Sequence, residues 1–526
     1  MILAMISLQE EYWDNFEIQN ADIEFLYNYL LEEETPQAID SLARQLTDNR
    51  IELERAAMEA RQRAGGEVFL PKSTYDVGAS LVFPALGWEQ GVVVEKREGS
   101  NPDIPPFEVV KVELENGDVR EFASKLEEHP LNAPPSTAGD DSWMNPSYVM
   151  EHYGEFITDE LAVSLEKNDD FVRIAGRWFP RALLVDINVG HLNLAEAVLD
   201  MEGGGPAETA RLLDVIDMPG DVNEKLAQFS MDYALWKDDR FDEVGPAGQI
   251  LWFLKRLEPK EVQRTPKYLR YSEIDYDRSL LTTEMVALER ELDDELSPIE
   301  IFETDLEEVE VHLLYAHWRT GSLPLTAKLN TLFPTAYQAP RIRFILVDGE
   351  TGKKFPGWVV RDEKYVYGLK DLYEDKGVIP GSKLLIKRGE NEGEIIVQAN
   401  THRPTREWIR TVLVGADGGI VLAMLKQNVG STLDDRMAIA VPDPDTLDSV
   451  WDKMEKDRTP FERIVVNTLR ELTKLNPQSH VHASELYAAV NLVRRTPPAP
   501  ILALLASRPW FDYVGDMHFR FNDYER

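Results

Sequence analysis

The chain contains no cysteine. That excludes disulfides, thiol nucleophiles and every zinc site built on cysteine. No apolar run approaches the roughly 18 residues that a membrane span needs. The first eight residues, Met1 to Leu8, are apolar, but they lack a basic flank and run into Gln9-Glu10-Glu11. They do not read as a signal peptide. The expectation is a cytoplasmic protein without a membrane partner. Signatures of catalysis are missing as well. There is no phosphate loop, since Gly349–Lys353 is too short and sits in a turn. There is no Gly-x-Ser-x-Gly elbow and no His-Glu-x-x-His pair. His480 and His482 lie two apart with no third ligand nearby. The expectation is therefore no enzyme, no cofactor and no metal.

Positive charge is scarce. The 526 residues carry 94 acidic and 56 basic side chains, a net charge of −38. Such a charge keeps a protein soluble and repels phosphate backbones at long range. The shortage is uneven. Residues 1–60 hold 14 acidic and 3 basic side chains, whereas residues 341–410 hold 11 and 14. An anionic ligand is least repelled in the late part of the chain.

Length predicts three or four domains, at about 150 residues each. Hydrophobic residues make up 43%, ordinary for a globular protein. Residues 1–70 read as a helical hairpin, with Thr35 as a cap and Pro36 at the first position of its second helix. Residues 71–132 change to the period of strands: Leu81–Phe83, Gly91–Val94, Phe107–Leu114 and Val119–Phe122. The Asn116-Gly117-Asp118 turn marks a hairpin. This spacing predicts a small barrel. Tyr75–Gly78 followed by Gly91–Val94 resembles SH3- and Tudor-like barrels, including the polymerase-interacting module of the CarD family. Residues 133–145, rich in Pro, Ser and Gly, read as a linker.

An internal repeat then emerges. Phe171–Phe179, Phe241–Phe253 and Phe511–Phe521 each read as an apolar strand, a glycine-containing turn and an aromatic strand. Helical pattern precedes each of them. Helices closed by a β-hairpin predict winged helices over 146–190, 191–262 and 455–526. Within them, Phe241 with Trp252 and Phe511 with Phe519 are expected to cover the helical core. The wing motifs Asp238–Gly245 and Arg508–Gly515 resemble the HARE-HTH family, which includes the delta subunit of bacterial RNA polymerase. The resemblance implies transcription-linked regulation, sometimes through protein contacts. The chain departs from delta in having no long acidic tail after this module.

Residues 263–335 read as an acidic helical connector, and runs such as Glu291–Glu295 as solvated helix faces. Residues 336–450 read as a β domain with turns at Asp348–Gly352 and Ile379–Ser382. Tyr365–Leu369, a short helix and Val378–Ile386 resemble plant pseudobarrel DNA-binding domains of the auxin-response-factor type. The whole is expected to be an α+β multidomain protein, with winged-helix repeats, two small β-barrel domains and an N-terminal helical hairpin. The expected function is a non-catalytic DNA- or transcription-associated factor contacting DNA, RNA polymerase or another protein. Backbone phosphate contacts are expected from Arg494, Arg495, Arg508 and Arg520 of the last module. Arg341, Arg343, Lys353, Lys354, Lys387, Arg388, Arg403 and Arg406 form a second candidate face, with Trp358 and Trp408 as aromatic partners. Two alternatives stay open: an acidic interaction scaffold or DNA mimic, and a nuclease whose carboxylates hold a metal.

Overall fold

Asp22 joins the first two helices. Its carboxylate accepts from the Gln19 backbone N–H at 2.7 Å and from Arg50 at 2.6 and 2.7 Å. The structure, a computed structural model, describes residues 12–522 apart from 65–66, 84–85, 87–88, 102–104, 116, 133–140, 217, 219–221, 301–305, 337–338, 392 and 417. The apolar start, Asn116 of the expected turn and most of the expected linker thus lie outside the described residues. The chain divides into two compact units, 1–186 with 220–230, and 187–219 with 231–526. It is a mixed α+β protein with several separate sheets.

In the first unit, helices Asn20–Glu33 and Ile39–Ala64 flank a two-residue strand, Gln37–Ala38. Thr35-Pro36 was expected to start the second helix. Instead it leads into this strand, because Gln37 pairs with Trp178 and Ala38 with Arg177. The helix Pro146–Glu166 follows, capped by the Asn145 side chain with Pro146 in its first turn. The hairpin Phe171–Ile174 with Arg177–Pro180 completes a three-stranded sheet. The N-terminal helices are therefore not a hairpin of their own. They share a sheet with residues 171–180, and Leu42, Leu46, Val149, Ile157 and Leu161 are all fully buried. A five-stranded sheet of residues 67–124 is inserted between the second and third helices.

That inserted sheet curls. Phe69 follows its first strand and Phe122 sits on its last, yet their ring centroids are 5.4 Å apart. Laid flat, five strands would hold their edges about 19 Å apart. Backbone hydrogen bonds from Lys125 to Ser73 and from Leu126 to Pro71 bring the far edge round. The Tyr75 hydroxyl accepts from the Leu70 N–H at 2.6 Å and fixes the entry of the chain.

The order of elements Asn20–Pro180, apart from the inserted sheet, recurs twice later in the chain. Helix Val189–Met201, strand Ala207–Glu208, helices Thr209–Leu213 and Glu224–Lys237, and strands Phe241–Glu243 and Leu251–Leu254 form one series. Helix Phe461–Thr473, strand Val481–His482, helices Ala483–Val490 and Pro498–Ser507, and strands Phe511–Gly515 and His518–Phe521 form the other. In all three sheets the last strand lies in the middle. The registers match: Gln37 pairs with Trp178, Ala207 with Trp252, and Val481 with Phe519. Each of these aromatics is at most 2% exposed. The expected aromatic cover of the helical core is present.

The segment expected to be a helical connector also supplies strands. Glu308–His312 and Ser322–Pro324 form the two edges of a seven-stranded sheet. Between them run Lys383–Arg388, Glu394–Ala399, Arg341–Asp348, Lys354–Val360 and Tyr365–Tyr367. Only the Arg341–Asp348 and Glu394–Ala399 pair is parallel. Ile342, Phe344 and Leu346 alternate into the core, as a period of two requires. A two-stranded ribbon, Thr401–Val414 with Ile420–Ser431, leaves this sheet. Its Val412, Ile420 and Leu422 join one apolar core with Val244, Trp358, Trp451, Leu486 and Phe519. The last repeat, the ribbon and part of the second repeat thus share a single core.

Gly381 shows how tightly the second unit closes. Its φ is +88°, and its N–H and C=O bond to Leu313 and Asp434. A Cβ there would run into the Ala438 backbone. Gly381→Ala is expected to cost about 2–4 kcal/mol, combining left-handed strain with overpacking. Urea unfolding of the full chain checks it, with Gly352→Ala (φ +70° in open space) as the strain-only comparison.

Candidate functional site

Among the described residues, six of the twelve expected nucleic-acid contacts hold carboxylates. Arg508 pairs with Glu462 at 3.2 Å, and Arg520 with Asp512 at 3.0 Å. Lys387 pairs with Glu308 at 2.8 Å, and Lys354 with Glu394. Arg341 bonds Asp242 at 2.6 Å and the Val262 carbonyl at 3.1 Å, tying the second repeat to the seven-stranded sheet. Arg495 is 1% exposed.

Arg495 lies in a buried polar cluster. Its guanidinium bonds both oxygens of Asp294 at 2.7 Å, Glu295 at 2.7 Å, the Asn491 side chain at 3.0 Å and the Thr496 carbonyl at 3.1 Å. The Tyr487 hydroxyl donates to Asp294. His317 bridges Glu295 and the Ser322 hydroxyl, each at 2.9 Å. Arg495 and His317 hold the Glu295 carboxyl well below its usual range, against the burial that would raise it. Burial, with the Asp294 charge beside it, pushes the Tyr487 phenol well up. Asp294 and Glu295 were expected on a solvated helix face. That helix ends at Leu292, and Asp293 turns left-handed at φ +42°. The chain after it enters the core. Arg495 is neutralised by Asp294 and Glu295, and its role here is structural.

The remaining candidates differ in exposure. Arg343 is half-buried above the Phe253 ring, 5.8 Å from its centroid. Arg388 donates to the Thr331 carbonyl. Lys353 is exposed at a turn. Trp358 is a core residue, 3% exposed. Arg403 and Arg406 are exposed on the ribbon, where Trp408 is 64% exposed and Lys426 lies 5.4 Å from its ring centroid. Arg406, Trp408, Lys426 and Asn428 share one ribbon face by register. Arg494 is half-buried against the Phe461 ring.

The third helices of the three repeats are unlike one another. Pro498–Leu505 of the last repeat is buried throughout and packs on the helix Thr283–Leu292. Pro146–Glu166 of the first contains no lysine or arginine. It exposes Glu151, Glu155, Asp159 and Glu160 beside Tyr148, Phe156 and Val163. Glu224–Lys237 of the second exposes Trp236, with Lys237 over its ring at 4.7 Å.

His480 and His482 do approach a third histidine. His518 lies 4.8 and 5.0 Å from them between ring centroids. His482 is pushed down to about 4, first by burial and then by Arg436 and His518. Among the described residues, no three histidine or carboxylate side chains are placed to hold a metal ion, and no helix is long and apolar enough to cross a membrane. No protein-family model matches the chain, and no curated protein or solved structure is significantly similar to it.

Proposed function

We propose that the chain is a non-catalytic, transcription-associated interaction factor. In this reading its three repeats are winged helices, used to contact protein rather than to read DNA. The observation that carries it is the third helix of the last repeat. A DNA-reading winged helix places that helix in the major groove. Here Pro498–Leu505 is apolar and buried, with no side chain free to meet a base edge. The first repeat supports the reading from the other side. Its third helix offers carboxylates and exposed aromatics, a surface that repels phosphate and suits a basic, partly apolar protein face.

RNA polymerase is the first partner to test, since the wing motifs Asp238–Gly245 and Arg508–Gly515 resemble those of its delta subunit. The test is titration of the full chain against purified polymerase across a salt series. Association that weakens with salt is expected, and Glu151→Lys with Glu155→Lys is expected to weaken it further. No association at low salt removes polymerase as the partner.

A second reading rests on the ribbon. Arg406, Trp408 and Lys426 form an exposed cationic and aromatic face, and Arg403 is exposed on the same strand. Two-stranded ribbons can enter a DNA groove. Duplex binding abolished by Arg403→Gln with Arg406→Gln would favour it.

A further inference from the structure

One concave site in the second unit departs from the acidity of the chain. It is a cavity of about 280 Å³ between the turn Lys267–Leu269, the helix Pro444–Lys456 and the loop that precedes Pro498–Ser507. Lys267, Arg270, Arg458, Arg494 and Arg495 all line it, against one acid, Glu455. Two of these cations are already neutralised. Lys267 pairs with Asp452 at 2.7 Å, and Arg495 with Asp294 and Glu295. Arg270, Arg458 and Arg494 have no carboxylate at ion-pair distance among the described residues. The Arg270 Nε donates to the Thr265 carbonyl at 3.0 Å, and Arg494 lies 5.6 Å from the Phe461 ring centroid.

Three guanidiniums without acidic partners converge on one cavity in a chain of 94 carboxylates. A half-buried guanidinium loses hydration and regains that loss only from an anion or a set of acceptors. Burial holds the Arg494 guanidinium below its ordinary range, against the nearby Tyr271, which raises it. Trp451, Met454, Ile464 and Val493 give the same cavity an apolar part of its lining. Planar guanidiniums match phosphate oxygens in pairs. The volume suits a small molecule rather than a duplex.

We infer that this cavity binds a small phosphate monoester, with its phosphate on Arg270, Arg458 and Arg494 and its organic part against Trp451 and Met454. This inference is independent of the partner assigned above. It also gives Arg494 a different role from contact with a nucleic-acid backbone.

The experiment is isothermal titration of the full chain with inorganic phosphate, AMP and pyrophosphate. One saturable site is expected, with AMP tighter than inorganic phosphate because of the apolar lining. Arg494→Gln and Arg458→Gln are each expected to weaken AMP by about tenfold. Arg388→Gln, outside the cavity, is expected to leave it unchanged. Arg270 and Arg458 are exposed, so Arg270→Gln and Arg458→Gln decide the matter if Arg494→Gln fails to fold. No saturable binding of any of the three probes overturns the inference. So does binding that these variants do not affect, or binding of an oligonucleotide through Arg494 when AMP does not bind.

Discussion

Replacing Arg495 with alanine is expected to destabilise the protein by about 3–5 kcal/mol, because it strands two buried carboxylates. Asp294 is fully enclosed and Glu295 nearly so, and Arg495 is the only guanidinium either one meets among the described residues. The alanine variant leaves Tyr487 and His317 as their remaining partners. Arg495→Lys is expected to recover little, since a single ammonium cannot reproduce contacts to Asp294, Glu295, Asn491 and the Thr496 carbonyl at once. The network joins three stretches of chain: the end of the helix Thr283–Leu292, the helix Tyr315–Thr320, and the loop of the last repeat. Loss of the charge is therefore expected to loosen the last repeat from the core it shares with the ribbon. Urea unfolding followed by tryptophan fluorescence measures the cost. A loss below about 1 kcal/mol would mean that the carboxylates are not enclosed as described.

Stability is expected to rise on acidification from pH 8 to pH 5, the reverse of ordinary acid denaturation. Asp232 is 3% exposed, and burial pushes its carboxyl up to about 6. Trp252 Nε1–H donates to it at 2.9 Å, as does the Thr209 hydroxyl, and these bonds offset part of that rise. Glu243 is pushed up to about 7 by burial. Glu258 is pushed up to about 8, by burial first and then by the charge of Asp242. A carboxyl raised in the folded state holds its proton more tightly there than in the unfolded chain. Its contribution is fully present below the unfolded value near 4 and is lost as pH rises through the folded one. For Asp232 the difference is about 3 kcal/mol. Glu295 is depressed instead, so its contribution is lost only below about pH 4, outside this window, whereas His482, pushed down to about 4 by burial, offsets part of the rise below about pH 6.5. Asp232→Asn keeps an acceptor for Trp252 and removes the titration. Melting temperature against pH should lose its step between about pH 4 and 6 in this variant. An unchanged profile would place the titration elsewhere.

Strands with a period of two were readable directly. Ile342, Phe344 and Leu346 alternate inward, and the aromatic strands ending each repeat lie where their pattern put them. The first repeat was half hidden. A five-stranded insertion separates its second and third helices, and a long insertion between helices costs a fold only a slowly growing loop entropy. Local sequence carries no mark of the pairing between Gln37 and Trp178, which lie 141 positions apart. The arginines misled for a related reason. Arg495 and Asp294 are 201 residues apart, so a basic pair on a loop looked free. The acidic excess that suggested repulsion of phosphate also supplied the partners that occupy Arg341, Arg508 and Arg520. Arg270 and Arg458, which line one cavity with Arg494, drew no notice in the sequence because three loops bring them together.

Binding of the full chain to labelled duplex DNA across a salt series tests the central claim, that the repeats contact protein and do not read DNA. No binding is expected at physiological salt, and at low salt only weak binding that Arg403→Gln with Arg406→Gln removes. Tight binding with a steep salt slope, unaffected by those ribbon substitutions, would reveal phosphate contacts from the repeats themselves and contradict it.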